Sequence, residues 1–247
     1  MKIMSWNILA AEWIKSSYYP QIDKKTLFDR AARFQRILAI LQNAEADIIL
    51  LQEVMPSEYA MLLKHLHKHY FCSPLVPIQW KYAVENKKKE NGKSGNMTLL
   101  RRSEKQFKAA KHYAFAFGLY TELPQLGICN IHLDDLANQT RNKQIKLLEK
   151  DILYRRPQCI LGGDFNQAYR ANSYIYHLPE FTVQNIECPT YYIAQKMNID
   201  NIMTRGFFEK KEKKGKKEEK KCMQYPTSME AGIMQYGSDH LPVVVDI

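Results

Sequence analysis

The chain has 247 residues, of which 45% are hydrophobic and 11% aromatic, a composition that excludes wholesale disorder and allows one large domain. Its formal charge of +10, from 36 basic and 26 acidic residues, favours a polyanionic partner such as nucleic acid. No stretch approaches roughly 18 consecutive apolar residues and no leader precedes the first apolar run, so we expect a soluble, intracellular protein, cytoplasmic or nuclear, without a membrane partner.

The first third of the chain predicts strands alternating with helices. An apolar run over residues 1–9 predicts a buried strand that ends near Asn7. The segment 23–43 places apolar residues at alternating gaps of four and three, which predicts a helix with one buried face and Asp23 as its N-cap. A second strand is predicted in "ADIILLQEV", and a second helix in "SEYAMLLKHLHKH" with Ser57 as a candidate cap.

The remaining chain is richer in strands. Four are predicted in "GNMTLLRR", "HYAFAFGLY", "LGICNIHL" and "QCILGGDF", with a helix over 138–153 between the last two. Near the C-terminus "NIDNIMT" and "DHLPVVVDI" predict two more, the latter with Pro242 at a strand start or sheet edge. Because no linker or repeat interrupts this pattern, we predict one α/β domain, 1–247, with two packed sheets flanked by helices.

A lysine-rich run at 209–221 reads "EKKEKKGKKEEKK" and supplies +4 of the net charge, from eight lysines and four glutamates. Strand-like flanks and the central Gly215 predict that it is the turn of a hairpin. Its function is either that of a solvated, solubilising loop or that of a phosphate contact outside the active centre. A second lysine-rich loop is predicted at 85–93.

Cysteine and histidine spacing offers no metal motif. The cysteines are odd in number, far apart and without a C-x-x-C pair, so they predict neither a disulfide framework nor a zinc cluster; they are Cys72, Cys129, Cys159, Cys188 and Cys222. His65 and His69 have the i, i+4 spacing of a zinc-binding helix face. Since no third ligand accompanies them, an exposed helix end is the favoured interpretation.

Polar side chains recur where the predicted strands end. They are Asn7, Glu53, His132, Asp164, Asn166, Asp200, Asp239 and His240. Each alone has an ordinary explanation, since an aspartate after "ILGG" suits a turn and His132 suits a hydrogen-bonded core position. Together, carboxylate and amide oxygens with two imidazoles from different strands suit Mg²⁺ or Mn²⁺. Such a set supports metal-assisted attack of water on phosphorus.

Six motifs in this order resemble those of the endonuclease/exonuclease/phosphatase superfamily, the DNase I-like proteins. They are "SWNIL", "LLQEV", "NIHL", "GGDFN", "NIDNIM" and "GSDHLPV", and they cover nearly the whole chain. The superfamily includes DNase I, the exonuclease III-type apurinic endonucleases, inositol polyphosphate 5-phosphatases and the poly(A) deadenylases. The resemblance implies a four-layer αββα sandwich with the site at one edge of the paired sheets.

The resemblance also implies metal-binding and water-activating roles for four of the strand-end residues. Glu53 is similar to the principal metal-binding carboxylate of the superfamily, and Asn7 to its neighbour. Asp239 matches a second acidic group near the metal. Asp164 matches the carboxylate that orients and deprotonates the attacking water.

The other strand-end residues match groups that contact the phosphate. His240 resembles the imidazole on the scissile phosphate, with Asp200 as the carboxylate that orients it, and His132 resembles the second phosphate-contacting histidine. Asn166 matches an amide that holds phosphate or transition-state oxygens. An R-x-x-Q sequence at 141–144 resembles one that braces the site. These roles suit a transition state that gathers negative charge on its equatorial oxygens.

The branch of the superfamily is suggested by "MSWNILA", "ADIILLQEV", "EYAMLLKHL" and "NSYIYHL", which are similar to nocturnin and the poly(A) deadenylases. That branch implies a 3′→5′ exoribonuclease acting on single-stranded RNA, with DNA as the second choice. "SDHLPV" is also similar to apurinic endonucleases, and "LQEV" with "HLDD" resembles 5′-tyrosyl-DNA phosphodiesterase. A small-molecule phosphatase and a catalytically silent RNA-binding module are further alternatives. Aromatic residues available for base stacking are Tyr18, Tyr19, Trp80 and Tyr169.

Overall fold

The computed structural model describes residues 1–78, 94–170, 173–192, 196–207 and 228–247. The strands in these ranges are β1 (Lys2–Asn7), β2 (Ile48–Val54), β3 (Tyr70–Cys72), β4 (Val76–Pro77), β5 (Gly95–Arg101), β6 (Lys111–Phe115), β7 (Gly118–Glu122), β8 (Leu126–His132), β9 (Gln158–Asp164), β10 (Thr182–Val183), β11 (Tyr191–Tyr192), β12 (Lys196–Met197), β13 (Asp200–Arg205) and β14 (Val243–Asp246). The α-helices are α1 (Lys24–Leu27), α2 (Arg30–Asn43), α3 (Pro56–Leu66), α4 (Asn138–Asp151) and α5 (Met229–Tyr236).

Most of the strands belong to two sheets, each with one parallel pair at its centre. The first has the order β14-β1-β2-β5-β3, with β4 also paired to β5, and the second has the order β10-β13-β9-β8-β7-β6. The parallel pairs are β1–β2 and β8–β9, and the other neighbours are antiparallel. The register pairs His132 and Asp200 with Asp164. Since parallel strands end at the same edge of a sheet, the polar strand ends come together there.

Alternation along the strands builds three apolar layers. Inward-facing side chains fill the space between the sheets; they include Ile3, Ile48, Leu50, Ile128, Ile160 and Ile202. Outward-facing Met4 and Trp6 pack with Phe34 of α2 and Leu62 of α3, and Ile145 of α4 packs on the outer face of the second sheet. The order helices–sheet–sheet–helix confirms the predicted four-layer α/β sandwich.

The predicted helix over 23–43 is two helices. Asp23 caps the short α1, as predicted, by accepting from the N–H of Thr26 at 3.0 Å. Asp29 then caps α2 by accepting from the N–H of Ala32 at 2.9 Å. A second capping aspartate inside the apolar repeat ends one helix and begins the next. The prediction of one continuous helix is therefore wrong.

The second predicted helix begins and ends earlier than expected. α3 begins at Pro56, whose fixed φ suits the first helical turn, and Met55 rather than Ser57 stands at its N-cap. The side chain of Glu58 accepts from the N–H of Met55 at 3.2 Å, which stabilises that start. Because α3 ends at Leu66, His69 lies beyond the helix, and the zinc-binding face remains unsupported.

The predicted strand "HYAFAFGLY" is a hairpin. β6 and β7 pair antiparallel from Lys111 with Glu122 to Phe115 with Gly118, so the chain reverses at residues 116–117. The sequence did not predict this turn, because the apolar run is continuous and neither turn residue is the glycine or asparagine that usually occurs in a hairpin turn. Pro242 precedes β14, an edge strand of the first sheet, as predicted.

Several other predictions meet the structure only in part. Cys72, Cys129 and Cys159 are free thiols, but Cys188 is disulfide-bonded, so the prediction of no disulfide fails for this residue. In the part of the chain that is described, no helix combines the length and hydrophobicity that crossing a bilayer requires. Both lysine-rich loops and Trp80 lie outside the described residues. The cellular location stays a prediction.

Gly163 allows β8 and β9 to approach at the edge that carries the polar side chains. Its φ is +149°, and a Cβ there would lie 1.9 Å from the carbonyl oxygen of Ile131. We expect Gly163→Ala to lower the free energy of unfolding by on the order of 3 kcal/mol, because both the conformation and the space exclude a side chain. Urea denaturation checks this. Gly162→Ala is the matched control, since its Cβ would meet the flexible end of Leu50, and an equal loss in both variants would contradict the expectation.

Candidate active site

Two carboxylates and an amide meet where β1, β2 and β9 end. The side-chain nitrogen Nδ2 of Asn7 donates to Oε1 of Glu53 at 2.9 Å and to Oδ2 of Asp164 at 3.0 Å. The orientation of this amide is fixed because its Oδ1 accepts from the N–H of Leu9 at 3.0 Å. One donor thus serves two carboxylates, of which Asp164 is 1% exposed and the side chain of Glu53 is 12% exposed. Two carboxylates this close together would stabilise a positive charge placed between them.

Glu53 reaches this position through an irregularity in β2. The pairing of β2 with β5 shifts between Leu51 and Val54, and Glu53 has a φ of +59°. Strained backbone of this kind costs about 1–3 kcal/mol and occurs often at functional sites. Oε2 of Glu53 accepts from the N–H of Ala10 at 2.8 Å, which holds the carboxylate in place. Burial raises the pKa of Glu53 above its ordinary value, although the neighbouring His132 opposes the shift.

His240 and Asp200 form a buried pair. Nδ1 of His240 lies 2.9 Å from Oδ2 of Asp200, and Nε2 lies 3.9 Å from Oδ2 of Asp164. Burial alone would lower the pKa of His240, but Asp200 and then Asp164 raise it well above its ordinary value. The ring therefore carries a proton at neutral pH. Thr190 fixes the start of β13, because its Oγ1 accepts from the N–H of Asp200 at 3.0 Å.

The second imidazole differs in charge from the first. Nε2 of His132 lies 3.7 Å from Oδ2 of Asp164 and 4.0 Å from Oε1 of Glu53, beyond hydrogen-bond distance in both cases. Burial lowers its pKa below the ordinary value, although Glu53 opposes the shift. His132 is therefore neutral at pH 7 where His240 is charged, and the site holds one imidazole in each protonation state.

Asp164 lies at the centre of the group. Burial and then the charge of Asp200 raise its pKa to about 7. Its Oδ1 accepts from the N–H of Asn166 at 2.8 Å, and the side-chain nitrogen of Asn166 donates to the carbonyl oxygen of Leu133 at 2.8 Å. Asn166 has a φ of +48°, so the chain turns sharply after the aspartate. A carboxylate with a pKa near neutrality is suited to accept a proton during a reaction.

Asp239 joins the group through two tyrosines that the sequence did not link to it. The hydroxyl of Tyr19 donates to Oδ2 of Asp239 at 3.1 Å. The ring of Tyr191 lies 4.5 Å from the imidazole of His240, centre to centre, and burial followed by Asp239 raises the pKa of Tyr191. Among the described residues, the buried oxygens Oδ1 of Asp200 and Oδ1 of Asp239 accept no hydrogen bond.

The sequence matches the Endonuclease/Exonuclease/phosphatase family over residues 4–240. The chain belongs to this family. Its fold is similar to that of ANGEL2, described as a 2′,3′-cyclic phosphatase and solved with adenosine-2′,3′-vanadate, at a TM-score of 0.67 and 12% identity over 98% of this chain and 94% of that chain. No curated protein matches the sequence.

Two further solved structures share the fold. A humanized D. rerio TDP2 aligns over 99% of this chain and 97% of its own, with a TM-score of 0.62 and 17% identity. The endonuclease/exonuclease/phosphatase from Bacteroides vulgatus aligns over 83% of this chain and 86% of its own, with a TM-score of 0.58 and 14% identity. At these identities the likeness establishes the family fold, and it leaves the branch of the family open.

The structure places all eight predicted residues of this family member at one edge of the paired sheets. The ligand atoms of Asp164, Asp200 and His240 lie within 4.8 Å of one another, and no other such group of three occurs in the described ranges. This group differs from the predicted metal-binding residues Asn7, Glu53 and Asp239. The group of three and the predicted metal-binding residues are in direct contact, because Asn7 donates to Asp164.

A buried ion pair behind the site connects the loops that carry it. Nη2 of Arg33 lies 2.6 Å from Oε1 of Glu58, and both side chains are at most 8% exposed. Nη1 of Arg33 donates to the carbonyl oxygens of Ile8 and Leu9, both at 2.7 Å, and of Gly237 at 3.0 Å. The guanidinium therefore joins the segment after Asn7 to the segment before Asp239. The sequence did not single out this residue because it lies within an apolar helix repeat.

Buried amides connect the two sheets near the same edge. Nε2 of Gln52 donates to Oδ1 of Asn130 at 2.8 Å, and Nδ2 of Asn130 donates to the carbonyl oxygens of Leu51 at 3.1 Å and Met97 at 2.9 Å. These contacts cross from β8 to β2 and β5, beside Glu53 and two residues before His132. The only sequence signal was a polar residue inside each apolar run.

The R-x-x-Q sequence on α4 braces the site as the resemblance implied. Nη1 of Arg141 donates to the carbonyl oxygen of Asp134 at 2.6 Å, and Oε1 of Gln144 accepts from the N–H of Asp134 at 3.0 Å. Both contacts hold the backbone two residues after His132.

Proposed function

We propose that this protein is a divalent-metal-dependent phosphodiesterase that hydrolyses single-stranded nucleic acid, with RNA as the substrate and 3′→5′ exonucleolytic cleavage of the deadenylase kind. We propose the same roles for the eight site residues as the resemblance implied. Because these residues run from Asn7 to His240, we also infer that 1–247 works as one domain. Phosphoester hydrolysis is the general activity of the family and is common to its nucleases and phosphatases, so the substrate and the direction of cleavage are the parts that we propose.

The observation that carries the proposal is the set of buried carboxylates around Asn7. Burial raises the pKa of Glu53 and of Asp164, so in the absence of a cation the group is electrostatically strained. Asp200 and Asp239 each keep a buried oxygen without a hydrogen-bond donor. Hard oxygen ligands with unsatisfied negative charge fit Mg²⁺ or Mn²⁺. Glu53 and Asp239 would hold the ion through carboxylate oxygens, and Asn7 through Oδ1, the oxygen that also accepts from the N–H of Leu9.

A bound divalent cation would stabilise the negative charge that develops on the phosphate oxygens. Asp164 orients the attacking water and accepts its proton, for which a pKa of about 7 is suited. As the water oxygen bonds to phosphorus, the P–O3′ bond to the shortened strand breaks, and the departing oxygen takes a proton from solvent. Protonated His240 donates a hydrogen bond from Nε2 to a phosphate oxygen, and Asp200 holds the ring by its other nitrogen. The charge on this imidazole is stabilised before substrate arrives, so little reorganisation is needed.

His132 and Asn166 complete the phosphate contacts. Neutral His132 presents a ring nitrogen toward the same space as Asp164, 3.7 Å away. One proton of the Asn166 amide is used by Leu133, and the second remains for a phosphate oxygen. Fixed donors of this kind stabilise a transition state without added cost during the reaction.

A nucleic-acid substrate is supported by charge and by the related structures. The net charge of +10 favours a polyanion. ANGEL2 was solved with a 2′,3′-adenosine derivative, and D. rerio TDP2 was solved with a single-stranded DNA product. A 5′-tyrosyl-DNA phosphodiesterase activity is the second candidate, because "LQEV" with "HLDD" resembles that group and D. rerio TDP2 was solved with a single-stranded DNA product.

A panel of labelled substrates with Mg²⁺ tests the proposal: single-stranded RNA, single-stranded DNA, abasic duplex, a 5′-tyrosyl oligonucleotide and a small phosphomonoester. We expect stepwise shortening of the RNA from its 3′ end. Cleavage restricted to the abasic duplex or the tyrosyl end would assign the protein to DNA repair. Release of inorganic phosphate from the monoester alone would make it a phosphatase, and salt-sensitive RNA binding without turnover would make it a silent binding module.

Glu53→Gln should raise the metal concentration for half-maximal rate by at least about tenfold. Removing a residue that only hydrogen-bonds a metal ligand already costs about that much in metal affinity, so removing a ligand should cost no less. Asn7 and Ala10 donate to different oxygens of Glu53, so the single oxygen of Gln can accept from only one of them, and Gln also lacks the negative charge. Titrating Mg²⁺ against the initial rate measures this, and the maximal rate should fall less than the apparent affinity. Glu104→Gln, outside the site, is the control. An unchanged titration curve for Glu53→Gln would remove Glu53 from the metal-binding set.

A further inference from the structure

A strip of aromatic rings leads from the surface to the active site. It consists of Tyr18, Tyr19 and Tyr191, here called the tyrosine strip. The rings of Tyr18 and Tyr19 meet edge to face, with centroids 6.5 Å apart and planes at 75°. The hydroxyl of Tyr19 contacts Asp239, and the ring of Tyr191 lies against His240. Tyr19 and Tyr191 thus contact two consecutive site residues, Asp239 and His240.

The rings differ sharply in exposure along the strip. Tyr19 is 1% exposed and supports its neighbour from beneath, whereas Tyr18 is 54% exposed. The same connection between β1 and α2 also exposes Trp13 and Phe28, by 41% and 49%. Single exposed aromatic residues are ordinary on protein surfaces. The distinction of Tyr18 is that its ring contacts a residue hydrogen-bonded to the active-site carboxylate Asp239.

Lys15 adds a positive charge at the outer end of the strip. Its Nζ lies 5.3 Å from the centre of the Tyr18 ring. An ammonium and an aromatic ring at one place match the two parts of a nucleotide, since the ring stacks on the base and the ammonium meets the phosphate. A small phosphomonoester without a base would engage the ammonium and leave the ring without a partner.

The backbone of this segment is held in place before any ligand binds. The N–H of Tyr18 donates to the carbonyl oxygen of Lys15 at 2.9 Å, and the N–H of Ile22 donates to that of Tyr19 at 3.2 Å. These turns hold the backbone of both tyrosines, and the hydroxyl of Tyr19 links the segment to Asp239. Because the backbone that carries the Tyr18 ring is already ordered, little conformational entropy is lost when a base stacks on the ring.

We propose that Tyr18, together with Lys15, forms a stacking subsite for one nucleobase of a single-stranded nucleic acid, beside the nucleotide whose phosphate is cleaved. The inference rests on the proposed function and adds to it a contact with substrate outside the reacting phosphate. Because stacking accepts any base, the subsite selects single strands over duplexes without selecting sequence.

Binding of a fluorescein-labelled single-stranded hexa-adenylate to the Asp164→Asn protein, measured by anisotropy, tests the subsite. Asp164→Asn serves as background so that the oligonucleotide stays intact. Adding Tyr18→Ala should raise the Kd about tenfold, whereas Tyr18→Phe and Tyr18→Trp keep the ring and should stay near the parent value. Tyr113→Ala, a 44% exposed tyrosine on β6, is the matched control and should not change the Kd.

Oligonucleotides with a single abasic nucleotide at each successive position locate the contact. One position should weaken binding to the parent about tenfold and have little further effect on the Tyr18→Ala protein. Two results would refute the subsite. One is an equal Kd for the Tyr18→Ala protein and the parent with every oligonucleotide. The other is a Kd raised by Tyr18→Ala by the same factor for all oligonucleotides, whatever the position of the abasic nucleotide. If wild-type protein neither binds nor cleaves any nucleic acid, the proposed function fails as well.

Discussion

Asp164→Asn should lower kcat on single-stranded RNA by about a hundredfold or more, the scale of losing a general base. Asparagine preserves the shape of the side chain, and its oxygen can still accept from the N–H of Asn166, 2.8 Å from Oδ1 in the wild type, although the amide nitrogen then replaces the oxygen that accepts from Asn7. It cannot take a proton from water. The KM should change little, because the substitution leaves in place His132 and His240, the residues that we propose contact the phosphate. A fall in substrate affinity with unchanged turnover would show that Asp164 binds the substrate and does not activate water.

The same substitution should make the metal-free protein more stable. Because the pKa of Asp164 is raised to about 7 in the folded state, its ionisation destabilises the fold as the pH rises from about 4 through 7. The asparagine carries no charge, so we expect a gain on the order of 2 kcal/mol at pH 8 and almost none at pH 4. Thermal unfolding in EDTA at both pH values measures this. A lower melting temperature at pH 8 would mean that lost activity reflects damage to the fold.

Arg33→Met should destabilise the protein by about 3–5 kcal/mol. The substitution leaves Glu58 buried without its partner and removes the donor to three carbonyl oxygens, those of Ile8, Leu9 and Gly237. Burial already lowers the pKa of Arg33 and raises that of Glu58, so each charged form depends on the other. Urea denaturation of single and double variants measures the coupling.

The double variant Arg33→Met/Glu58→Leu should recover part of this loss, since it removes both buried charges. Recovery stays incomplete because the three carbonyl oxygens still lack a donor. Arg156→Met is the control, as its ion pair with Glu122 is partly exposed and should be worth at most about 1 kcal/mol. Equal losses for Arg33→Met and Arg156→Met would mean that the buried pair does not hold the site loops together.

The sequence predicted the composition of the site better than its internal contacts. The eight residues lie together because the ends of the parallel strands and the starts of the antiparallel strands β13 and β14 meet at one edge. The contact of Tyr19 with Asp239 joins residues 220 positions apart, and no local pattern encodes it. Arg33 looked like an ordinary residue within an amphipathic repeat, and only the fold shows the carbonyl groups around it.

The sequence predicted the layers of the fold, but it did not predict the shortest strands or the exact limits of the helices. Long apolar runs such as those of β2, β8 and β9 are strong signals, and their strands agree with the predictions within a residue or two. Strands of two residues, such as β4 and β10, depend on pairing with distant partners and carry no periodicity of their own. Helix limits were misplaced where a second cap or a proline decided them, as at Asp29 and Pro56.

The most direct test of the central claim is a time course with 5′-labelled single-stranded RNA in three conditions: Mg²⁺, EDTA, and EDTA followed by excess Mg²⁺. Wild-type protein should shorten the RNA stepwise in the first condition, not in the second, and again in the third, while Asp164→Asn should be nearly inactive in all three. Cleavage that continues in EDTA, or that proceeds equally in Asp164→Asn, would contradict a metal-dependent phosphodiesterase centred on the carboxylates of Glu53 and Asp164.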